Sequence, residues 1–147
     1  MGFVVRLPGM NSHGIRAWRW LAAVVLAHLL VSIVHGTAHD GAHVPLSLPA
    51  NLFVYIVILA GPLVGLALTW FTESLGSWLI ALTMAGAFVF GCLNHFVLVS
   101  PDHVAHVDPQ WRALFTTTAV LLALTEAFAC GLAVRVAGAG RERKALS

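Results

Sequence analysis

The sequence predicts an all-α integral membrane protein: a single bundle of four transmembrane helices with both termini in the cytoplasm. Three observations lead there. Of 147 residues, 59% are hydrophobic and 10% charged, and the mean hydropathy is +0.89; a water-soluble domain of this length needs a larger polar shell. Four apolar stretches are each long enough to cross a hydrocarbon core, which takes about 20 residues. When these stretches are threaded in turn, seven of the eight Lys and Arg fall on one side.

The stretches run over residues 17–37, 51–70, 78–99 and 111–134. No Lys, Asp or Glu interrupts the first three, and the fourth contains one acid, Glu126. They lack the two-residue alternation of barrel strands, so helix is the reading that satisfies the backbone within lipid. Arg6, Arg16 and Arg19 precede the first span, and Arg135, Arg141, Arg143 and Lys144 follow the fourth. Only Arg112 lies opposite, which places both termini in the cytoplasm by the positive-inside rule. Trp18, Trp20, Trp70, Trp78 and Trp111 all stand at span ends, where an amphipathic ring prefers to sit. The location implied is the cell (inner) membrane. A rival reading takes residues 1–38 as a signal peptide, with Gly36-Thr37-Ala38 as a cleavage site; the long leader and His28 in the apolar run speak against it.

Within the second span, Gly61-Pro62 removes a backbone donor and predicts a kink. Gly61 and Gly65, and likewise Ala87 and Gly91, are four apart and allow close helix approach. Cys92 and Cys130 lie in apolar stretches and read as packing residues. Residues 138–147 form a basic cytoplasmic tail that is expected to be disordered. The partner implied is the lipid bilayer, with room for a partner membrane complex or a second copy. The net charge of +2 is too small to point to nucleic acid.

The chemistry lies in the eight histidines. His35, His39 and His43 leave the first span in HGTAHDGAH; His95 ends the third and is followed by His103 and His106. In this topology all six lie at or beyond the extracytoplasmic face. Imidazole suits zinc, copper and iron, and Asp40 and Asp102 sit beside histidines to ligate or to fix their tautomers. His35 and His39 share a helical face if the first helix continues past the lipid. His103 and His106 share one on a short turn begun by Pro101 and capped by Ser100. The metal candidates are thus His35, His39, His43, His95, His103, His106, Asp40 and Asp102. No Cys or Met joins them, so a thiolate copper(I) site is not indicated. Haem b is the alternative, with His35 and His95 as axial ligands on two helices.

A second feature is buried. His28 lies about 9 residues from the inner tryptophans and Glu126 lies 9 residues before Arg135, both roughly 13 Å deep at 1.5 Å per residue. An ionisable group in a span implies a partner, and these two are expected to pair, either on a proton or ion path or merely to fix helix register. No HExxH, P-loop, Ser-His-Asp order or Rossmann fingerprint is present. The histidines therefore suggest metal capture, delivery or transport. An alternative is a membrane oxidoreductase or electron-transfer protein using the same ligands, and another is an accessory subunit of a larger membrane complex.

Overall fold

The computed structural model describes residues 12–145, with side-chain environments over 15–139. It is all-helical. We name four helices: α1 (Ser12–Gly41), α2 (Leu48–Leu68), α3 (Glu73–Val97) and α4 (Pro109–Ala145). Each contains a segment long and apolar enough to cross a membrane. The helix of α4 continues through Ala145, so the tail read as disordered is helical over most of its length; nothing in 138–145 breaks the helix but two glycines.

The interior follows stripes of helical spacing. On α1 the inward stripe is Leu21, Val25, His28, His35 and Ala38; on α4 it is Phe115, Thr118, Leu122, Glu126, Ala129 and Ala133. Outside stand Leu26, Leu30, Ile33, Leu82, Val89, Leu124 and Phe128, all large and exposed. Polar groups inside and leucines outside suit a bundle solvated by lipid rather than by water.

Two apolar clusters bracket a polar layer. The first joins Leu21 and Val25 to Ile80, Ala81, Met84, Ala129 and Ala133. The second joins Ala38 and Phe115 to Val44 and Val107 from the connecting loops. Between them lie all four of His28, Glu126, His35 and His95, each buried.

Helix α2 is placed by glycine. A Cβ on Gly65 would stand 2.6 Å from Ile80 Cγ1 and 3.0 Å from the Gly76 carbonyl, so α2 and α3 touch backbone to backbone there. Trp18 Nε1 donates to Thr69 Oγ1 at 2.9 Å and its ring meets Trp70 edge-on, tying the start of α1 to the end of α2. Elsewhere α1 packs chiefly on α4, so its upper half and that of α2 stand apart.

Both α2 and α3 contain a π-helical stretch, Val54–Ala60 and Leu93–Val97. In α2 it ends where Gly61 N–H reaches back to the Ile56 carbonyl, just before Pro62, which has no N–H to give. The disturbance predicted at Gly61-Pro62 is thus taken up as a widened turn. In α3 it carries His95 and closes with Leu98 N–H on the Leu93 carbonyl at 2.7 Å.

Candidate metal centre

His35 and His39 project from the last turns of α1, four residues apart on one face. His95 comes from the π turn of α3. These three imidazoles meet: one ligand nitrogen from each lies within 4.8 Å of the other two. Phe115 of α4 forms the floor, with ring centroids 4.7, 4.8 and 5.2 Å from His35, His39 and His95.

Hydrogen bonding fixes how two of the rings present themselves. Thr118 Oγ1 donates to the Leu114 carbonyl at 2.8 Å, as a helix threonine does, so it is left to accept from His35 Nδ1 at 2.8 Å. His35 therefore carries its proton on Nδ1. His95 Nδ1 faces two acceptors, the Asp102 carbonyl at 3.2 Å and its Oδ1 at 3.2 Å, and is likewise protonated there. Both Nε2 atoms are then lone pairs, and they point at each other across 3.2 Å. Two lone pairs at that distance repel; a proton donated by one ring to the other, or a metal ion bound by both, removes the repulsion. On a tetrahedral ion with metal–nitrogen bonds of 2.0–2.1 Å, two ligand nitrogens stand about 3.3 Å apart.

His39 completes the set. Its Nε2 lies 3.3 Å from Asp102 Oδ1, and the backbone of Val44 stands within polar contact of the ring. Burial acts to raise the Asp102 carboxyl, but the hydrogen bond to His95 and the nearness of His95, His39 and His35 hold it below the ordinary carboxylate range. The donor set is three imidazoles with one carboxylate at their edge, and its residues fit a divalent transition ion; the ion would draw the nitrogens closer than 4.8 Å.

The other sequence candidates stand elsewhere. α1 ends at Gly41, and His43 adopts a left-handed backbone (φ 53°) that turns the chain toward α2, leaving the imidazole exposed. Asp40 is exposed next to His39, at the rim of the chamber beside the cluster and outside the group of converging ligands. His103 and His106 pack on each other, centroids 5.2 Å apart, and His106 Nδ1 donates to the Ser100 carbonyl at 2.8 Å. Their segment consists of turns rather than a helix, and Ser100 Oγ caps nothing there. Below the cluster, His28 Nε2 stands 3.2 Å from Glu126 Oε1, both side chains buried.

Two residues of the centre, Phe115 and Thr118, are absent from the sequence reading. The available signal was their stripe: Thr118, Leu122 and Glu126 repeat at four residues on one face of α4.

Between the cluster and Glu126 lies a chamber of about 360 Å³, lined by residues of all four helices. Comparison with protein-family models, with curated proteins and with solved structures gave no match.

Proposed function

We propose that this protein is a membrane metal-binding protein that holds one transition-metal ion on His35, His39 and His95, with Asp102 as the adjoining carboxylate. The observation that carries the reading is the convergence of three imidazoles, with one ligand nitrogen from each within 4.8 Å of the other two; the facing Nε2 atoms of His35 and His95, at 3.2 Å, suit a shared ion. Nitrogen and carboxylate donors without sulfur suit zinc, copper(II) or iron. The geometry favours an ion over haem. The His35 and His95 rings are in contact, centroids 4.9 Å apart and seated on Phe115, which leaves no space for a macrocycle between them.

The basic residues at the start of α1 and the end of α4 support, by the positive-inside rule, an orientation with the opposite end and the cluster on the extracytoplasmic side. A site there captures an ion from outside for delivery or transport. The chamber beside it favours a second reading, a membrane oxidoreductase in which a substrate reaches the same ion.

Elemental analysis and metal titration of the purified full-length protein test the proposal. About one ion per chain is expected, lost in His35→Ala and in His95→Ala, with no Soret absorption. Protein that is metal-free and takes up none of zinc, copper(II) or iron would overturn it.

A further inference from the structure

The chamber is larger than an ion needs. At about 360 Å³ it falls within the ~300–1,000 Å³ range of small-molecule sites. Its walls are mainly apolar, from Ile33, Val54, Ile58, Phe90 and Leu122, and polar groups stand at its two ends. At one end are His35, His39, Asp102 and, at the rim, Asp40; at the other is Glu126. Gly91 separates them: a methyl there would lie 3.9 Å from His95 Cδ2 and 4.0 Å from Glu126 Oε2.

The way in is lateral. Three seams of the bundle are packed, but the upper halves of α1 and α2 stand apart. Along that seam Ile33, Gly36 and Tyr55 are exposed and also line the chamber. The wall on the α2 side is the π stretch Val54–Ala60, and the opposite π stretch carries His95; such turns widen a helix where a ligand is seated. A mouth on the apolar flank of the bundle admits molecules dissolved in lipid.

The polar ends restrict which molecules. Glu126 and Asp102 both present oxygen acceptors, so a fatty acid or a phosphate would meet like charge. A ligand that donates a hydrogen bond from each end of an apolar ring satisfies both. From this geometry we propose that the chamber binds one lipid-soluble hydroquinone, entering between α1 and α2 and lying between the histidine cluster and Glu126. This rests on the metal-binding reading only for the role of the ligand, not for its binding.

The test uses the full-length protein in phosphatidylcholine nanodiscs and a decyl-substituted benzohydroquinone, kept reduced and measured by equilibrium dialysis against protein-free nanodiscs. Saturable uptake of one molecule per chain is expected, and the dimethoxy analogue, which has no O–H, should not compete. Gly91→Leu fills the chamber and Gly36→Leu its mouth, where a Cβ meets nothing within 4 Å. Each should weaken binding about tenfold or more; metal content at the wild-type level is expected in Gly36→Leu, whose added side chain meets nothing within 4 Å, and circular dichroism reports that both variants have folded. Uptake equal to protein-free nanodiscs, competition by the dimethoxy analogue, or wild-type affinity in both variants would overturn the proposal. Metal-free protein that still binds the hydroquinone would overturn the metal reading and leave this one standing.

Discussion

His35 Nε2 and His95 Nε2 face each other at 3.2 Å, each held as a lone pair by a hydrogen bond on the far side of its ring. The two residues come from different helices, sixty positions apart. An ion bound by both would turn this contact into two metal–nitrogen bonds. On the proposed reading, the bundle is more stable loaded than empty.

Metal removal should be visible as a loss of stability. A ligand at a thousandfold excess over its Kd stabilises the state that binds it by about 4 kcal/mol. Thermal melts in detergent are expected to show a higher Tm with added zinc or copper(II) than with chelator. The same addition should leave His35→Ala unmoved. An equal response in the variant would place the ion elsewhere.

Thr118 tests whether the tautomer of His35 matters. Replacing groups that orient a ligating histidine costs about 10–100-fold in metal affinity. Thr118→Val should show that loss, because it keeps the side-chain shape and removes the acceptor of His35 Nδ1–H. Thr118→Ser should retain affinity near the wild type. Competition titrations with a metal-sensitive dye would measure both, and equal affinities in Val and Ser would show that the hydroxyl has no part.

How far the sequence reveals all this differs by level. Apolar length and tryptophan position locate four spans within about five residues of the apolar segments Ile15–Gly41, Leu48–Leu68, Glu73–Val97 and Pro109–Ala139, because lipid leaves little choice of backbone. Counting residues from the tryptophans sets His28 and Glu126 at one level, where the structure brings them within 3.2 Å. Which outer histidines converge is not legible. Shared depth treats His43, His103 and His106 like His39 and His95, and only the left-handed turn at His43 and the packed turns of residues 98–108 separate them. Thr118 was hidden for a different reason: its role depends on the helix beside it, which a one-dimensional stripe does not name.

His103 and His106 should therefore be dispensable for loading. They pair with each other and with the Ser100 carbonyl at the exposed edge of the loop. His103→Ala with His106→Ala is expected to leave stoichiometry and affinity unchanged, whereas His39→Ala should reduce affinity by a factor of ten or more on losing one of three imidazoles. Parallel titrations decide it, and a loss in the double variant would widen the site to the loop.

The His28–Glu126 contact is a stability element as well as the far wall of the chamber. Removing one partner of a buried hydrogen-bonded pair leaves the other unsatisfied and costs about 1–3 kcal/mol. Glu126→Ala and His28→Ala should each lower the Tm clearly, and the double variant should lower it by less than the two together, since the pair acts as one unit. Neither residue belongs to the histidine cluster, so metal stoichiometry in whatever fraction remains folded should stay at about one. Strictly additive losses would show that the 3.2 Å approach contributes no coupling. Loss of metal in His28→Ala, with the fold retained by circular dichroism, would instead tie the lower pair to the centre above it.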